Sequence, residues 1–229
     1  MPGTTAQRRG RPRVIVAIVV LAAIYWAVAV RAPSGTRSIR AFDADRLAEL
    51  ELGMWQAYYA KEKFRLFRLL VVMLREQYHY SWQEAVIAAY HLARAASTFG
   101  DATGDYDRVL PDLEAGYKIA RDWTGASFDP AAVARAELSW WTARRDPASG
   151  LGAAKNRVVS ERMIDLYTLL YGEPRERVGE SARLRVEAAD LRDRGADAAR
   201  AGAEDGVDWK GVSYLLHQSY RSLHDAVAE

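Results

Sequence analysis

The chain has 229 residues, half of them hydrophobic and 27% charged, with a net charge of +2, seven prolines and no cysteine. That supply of apolar side chains buries a sizeable core and excludes a mainly disordered state, while the missing cysteine excludes disulfides, thiol nucleophiles and thiolate metal sites. Residues 1–40 hold seven arginines and no acidic group, leaving 25 basic against 30 acidic side chains in the remainder. The alkaline character therefore belongs to the N-terminal arm. The rest is mildly acidic, the opposite of what a nucleic-acid binder needs to neutralise phosphates, so nucleic acid is not an expected partner.

In chain order, residues 1–13 read as a basic tail. Residues 14–30, VIVAIVVLAAIYWAVAV, are seventeen positions without a charge, about 25 Å as a helix and near the lower limit for crossing a hydrocarbon core. The expectation is a transmembrane signal-anchor in contact with membrane lipid, its Tyr25 and Trp26 at an interface. Ala27-Val28-Ala29 has the small-x-small form of a cleavage site, but the apolar run is longer than in a cleaved signal and carries bulky rings there. Arg8, Arg9, Arg11 and Arg13 crowd the tail, which favours a cell-membrane protein with a cytoplasmic N-terminus and an extracytoplasmic C-terminal domain. Ala23 and Ala27 are spaced so as to permit a homo-oligomer through this helix.

Residues 31–41, rich in Pro, Gly, Ser and Thr, read as a juxtamembrane linker. Residues 42–229 carry helical periodicity almost throughout, so the fold class is all-α: one N-terminal transmembrane helix, then a bundle of about seven helices. A long first helix is expected from Asp43 or Asp45 to Tyr78, with the apolar Phe64 to Leu74 stretch as a central helix enclosed by the others. Ser81 and Glu84 form a capping box opening a second helix, whose stripe reads Trp82, Val86, Ala89, Tyr90, Ala93, Ala96. A third helix begins near Pro111 and ends by Gly125; a fourth is capped by Asp129 and runs to Arg145. A fifth stops at Gly172, a charged sixth runs from Pro174 to Ala201, and Asp208 caps the last.

Glu76 and His79 form Glu-x-x-His, the spacing that presents two metal ligands on one helix face in di-metal carboxylate bundles. That architecture needs two such elements and His91, His217 and His224 supply no second one, so an ordinary polar contact is the stronger reading and no cofactor is expected. His91, His217 and His224 read as surface residues. Asp101, Thr103, Asp105 and Asp107 alternate oxygen side chains as calcium loops do, but Tyr106 stands where the EF-hand requires glycine and Asp112 where it requires glutamate. Trp140-Trp141 cannot fill one stripe, because neighbours on a helix diverge by about 100°; one ring is then a candidate for a protein-binding surface. Phosphate-binding glycine loops, nucleophile elbows and zinc-protease motifs are absent. The function expected first is a membrane-anchored, non-catalytic accessory subunit that binds another protein of a membrane complex. The alternatives are a di-metal bundle enzyme, and a domain binding lipid or a small molecule at the membrane surface.

Overall fold

A computed structural model describes residues 11–150, 152–202 and 206–228. Most of the basic tail (1–10) lies outside the described residues. Among the described residues the structure is all α-helical, without strands. The helices are α1 (Arg11–Tyr25), α2 (Ala44–Tyr59), α3 (Lys63–Tyr78), α4 (Trp82–Asp101), α5 (Leu110–Thr124), α6 (Pro130–Arg145), α7 (Gly152–Tyr171), α8 (Arg175–Arg200) and α9 (Trp209–Val227).

Caps visible in the sequence set many of the boundaries. Asp43, Ser81, Asp129 and Asp208 each accept a backbone N–H of their own first turn, satisfying donors that the helix itself leaves free. Gly125 and Gly172 end α5 and α7 at positive φ. The long first helix does not persist: it breaks at Ala60–Glu62, where Lys61 adopts a left-handed conformation with φ 58°, and α3 runs back along α2. No proline or glycine marks that turn, so periodicity alone joined two helices into one. The region after the linker therefore contains eight long helices where about seven were expected.

Each of α2 to α9 packs on its chain neighbours in up-and-down order, and α9 returns to pack on α2. This closes an eight-membered ring, with no comparable contact across it among the described residues. Phe64 to Leu74 is consequently not a central helix: α3 is one stave of the ring and Phe64 is 79% exposed. Buried alanines such as Ala48, Ala57, Ala85, Ala95, Ala134 and Ala182 let adjacent staves approach closely, while larger side chains fill the interior. The chain returning from α8 to α9 crosses α8 at Gly195, where a Cβ would come within 2.8 Å of Val207 Cα and 2.9 Å of Gly206 O.

Two further expectations are corrected. The buried face of α4 is Ala85, Ala88, Ala89, Ala95 and Phe99, whereas Trp82, Val86 and Tyr90 face outward. Bulk and hydrophobicity misled the phase, because the ring closes on the small side of the helix. Residues 14–30 do not form one uniform α-helix: α1 ends at Tyr25 and Trp26–Val30 adopts π-helical geometry. No described helix is long and apolar enough to cross a membrane. The apolar side chains of residues 14–28 nevertheless stay exposed on every side.

The end of this segment touches the ring at one pole. Trp26–Val30 packs on α4 and Tyr25 Oη donates to Gln83 at 3.2 Å. The linker then runs across that pole. Arg37 lies over the Trp123 ring at 4.1 Å. Arg40 pairs with Glu173 at 2.7 Å and donates to the carbonyls of Tyr171 and Val227, placing a cation at the C-terminal ends of α7 and α9, where the helix dipoles favour it.

Candidate functional site: a lumen enclosed by eight helices

Because every stave is spent on its two neighbours, the ring encloses a cavity of about 510 Å³ lined by side chains of all eight helices. That is within the usual ligand-pocket range of about 300–1,000 Å³. Its walls are mainly aromatic and aliphatic, and Ile39 of the linker borders it. Leu66, Leu70 and Leu74 of α3 and Leu92 of α4 form an apolar side. Eight tyrosines and three tryptophans contribute to the remaining lining.

Charge is concentrated in two places. Near mid-height, Glu51 of α2 accepts hydrogen bonds from Trp55 Nε1 at 3.0 Å, from Arg185 of α8 and from Tyr220 of α9. Arg185 also donates to Tyr167 Oη at 3.1 Å. Four helices thus meet on one buried ion pair. Burial opposes the Arg185 charge, but Glu51 and the surrounding tyrosine oxygens outweigh it and hold its pKa well above the ordinary value. Across the lumen Glu137 of α6 accepts from Tyr117 Oη at 2.9 Å; burial pushes its carboxyl up despite the attraction of Arg185. Burial likewise raises the Tyr117, Tyr171 and Tyr220 hydroxyls, so these phenols act as neutral hydrogen-bonding groups.

At the pole away from the linker, the C-terminal turns of α2 and α6 meet α8. Arg144 donates to Asp193 at 2.7 Å and to Tyr59 Oη at 3.1 Å. Arg192 pairs with Asp193 at 3.0 Å and stacks on Tyr59 at 3.2 Å. Burial would raise the Asp193 pKa, yet these two arginines hold it below the ordinary value. Arg145 lies over Phe99 at 3.9 Å and donates to the Phe99 and Ala102 carbonyls. Arg144 and Arg192 therefore share one carboxylate, and the exposed Arg145 adds a third cation to the same rim of the cavity.

Of the residues singled out by sequence, Trp140 and Trp141 both belong to this cavity. Trp140 is 6% exposed, and its ring sits 5.6 Å from the Arg185 guanidinium and 5.9 Å from that of Arg144. Their divergence on α6 is explained from within: Trp140 faces Arg185, while Trp141 packs on Phe99 at 5.0 Å. Neither forms an outward-facing anchor. Glu76 and His79 are not brought together with further ligands. Glu76 is a surface partner of Arg46 at 2.9 Å, and His79 is the left-handed cap of α3, its imidazole lying where a side chain on Gly35 would have to go. Among the described residues no three His, Cys, Asp or Glu side chains gather as a metal site.

The remaining candidates find ordinary partners. Asp101 pairs with Lys63 at 3.2 Å, and Asp112 is buried against His91 at 2.8 Å and Arg94, so the alternating oxygens do not converge. His91 is therefore half-buried and paired, not the free surface residue expected. His217 bonds the Ser213 carbonyl at 2.8 Å, and His224 packs edge-on against Phe42 at 5.6 Å.

Sequence reasoning missed Glu51's partners, Glu137, Arg144, Arg185 and Arg192. The available signal was an isolated charge on the apolar side of each helix, and in the charged helix α8 nothing distinguishes Arg185 from its solvated neighbours. The chain matches no protein-family model, no curated protein and no solved structure.

Proposed function

We propose that this chain is a membrane-associated binding protein that holds a small amphipathic molecule in the lumen of its helical ring. The observation carrying this reading is the cavity itself, bordered by all eight staves and furnished with convergent polar groups on otherwise apolar walls. Membrane association is supported by the side chains of residues 14–28, apolar and exposed all round, a surface that water disfavours and lipid accepts. Residues 14–30 supply seventeen uncharged positions, near the lower limit of what a span requires. The arginines ahead of the segment favour a ring on the extracytoplasmic side.

The test is extraction of the full chain with a lipid-encapsulating polymer, followed by mass spectrometry of released small molecules. Roughly one equivalent of a co-purifying compound is expected, displaced in an Ala96→Phe variant that fills the lumen. A chain that carries no such molecule and shows no change on adding amphiphiles would overturn the reading.

The accessory-subunit reading has one observation in its favour. Trp82, Val86, Ile87 and Tyr90 of α4 remain exposed beside the end of the apolar segment, where an apolar helix of a membrane complex would cover them. A stoichiometric partner recovered with the wild type and lost with Val86→Glu would support it.

A further inference from the structure

We propose that the molecule bound in the lumen carries a single oxyanionic head, a carboxylate or a phosphate monoester, seated beside Trp140 at the pole of Arg144, Arg145 and Arg192, with an elongated apolar body lying along the α3–α4 side. The inference rests on the reading of the lumen as a ligand site.

The unsatisfied hydrogen-bonding capacity of the lumen is biased toward donors. Five buried side-chain atoms of the described residues lack a hydrogen bond of good geometry, and three of them, Trp140 Nε1, Arg185 Nε and Arg192 Nε, belong to residues lining the cavity; the Trp140 N–H has the Glu137 carboxylate near it, out of good alignment. All three are donors. The other two, on Glu84 and Thr168, belong to residues outside the lining. A buried donor without an acceptor is costly, so a complementary ligand brings acceptor oxygens and no surplus of donors.

Charge is biased in the same direction. At the surface-reaching pole Arg144 and Arg192 share Asp193, and Arg145 has no carboxylate partner among the described residues. A cationic head is disfavoured there and also on the aromatic faces, since arginines already lie over Trp140, Phe99 and Tyr59. An anion at this pole gains charge-assisted hydrogen bonds in a partly desolvated setting.

The shape and size of the lumen suit a long apolar body. The leucines of α3 and Leu92 of α4 offer no hydrogen bonds, so they suit a hydrocarbon body. At the packing density of protein interiors, a cavity of about 510 Å³ accommodates on the order of twenty non-hydrogen atoms, the size of a single-chain lipid anion.

The experiment uses the full chain in zwitterionic nanodiscs, with tryptophan fluorescence as readout and four probes: palmitate, hexadecyl phosphate, hexadecanol and hexadecyltrimethylammonium. Palmitate or hexadecyl phosphate should bind about tenfold or more tightly than hexadecanol, as expected for a charge-assisted contact, and the tighter of the two identifies the head. Trp140→Phe, which keeps the ring and removes the N–H, and Arg192→Gln should each weaken the anion severalfold and leave hexadecanol unchanged. Equal binding of hexadecanol and the anions, or preference for the ammonium probe, would overturn the anionic assignment while leaving the lumen as a binding site. Loss of affinity for all probes alike in both variants would overturn it too. No response to any probe would instead overturn the proposed function.

Discussion

At the residue scale, the lumen is organised by a few buried charges whose energetics have opposite signs. Glu51 is 3% exposed and compensates Arg185; removing one member of such a pair leaves the other charged in a low-dielectric interior. Glu51→Ala should therefore cost about 3–5 kcal/mol, read by denaturant unfolding. Glu137 behaves differently. Its carboxyl is pushed above the ordinary value near 4.5, chiefly by burial, so its ionisation weighs against the folded state. That cost is absent below the unfolded pKa, and it grows as pH rises from there through the folded pKa. Glu137→Gln should then melt higher than wild type at neutral pH, by about 2–4 °C for each kcal/mol relieved, with the two curves converging near pH 4. Asp112 follows the reverse rule: burial is outweighed by Arg94 and His91, its pKa is lowered, and its contribution is lost only as pH falls below the ordinary carboxylate range.

At the element scale, the capping residues transmit the sequence faithfully, and the departures have local causes. The turn between α2 and α3 contains Lys61 at positive φ, a conformation that costs an L-residue about 1–2 kcal/mol and glycine almost nothing. Because Lys61 is exposed, Lys61→Gly should stabilise the protein by about 0.5–1 kcal/mol after the entropy that glycine adds to the unfolded chain, measurable as a shift of the urea midpoint at constant slope. On α4, apolar periodicity named the outward stripe because Trp82, Val86 and Tyr90 are larger than the alanines opposite. Hydrophobicity identifies an amphipathic stripe only when one face alone is apolar. Here the seam between staves wants small residues, and both faces qualify.

At the scale of the whole molecule, ring closure decides what kind of protein this is. An eight-stave ring cannot fill its own centre with backbone, so side chains from every helix share the interior and leave room among themselves. The closing contact is α9 on α2; Val212, Leu216 and Leu223 of α9 are essentially inaccessible within the shared core, and the exposed Asp45–Arg221 pair between the two helices adds little. Leu216→Ala should cost about 2–5 kcal/mol. If the ring is the cooperative unit, hydrogen exchange in this variant should accelerate in α2 and α9 together and palmitate binding should weaken in parallel; acceleration confined to α9 would argue against closure as the source of the lumen.

The sequence by itself determined that the chain is all-α, where most helices begin and end, and that its N-terminal apolar segment stands apart from the acidic remainder. These are local properties: caps, turn glycines and 3.6-residue periodicity act over a few residues and need no knowledge of distant partners. The tertiary structure alone decided that the helices form a closed ring, that Trp140 and Trp141 face inward, and that Glu51, Glu137, Arg185 and Arg192 surround one cavity. Arg185 and Glu51 stand 134 positions apart. Only the order in which the staves close brings them together, and no local spacing encodes that order.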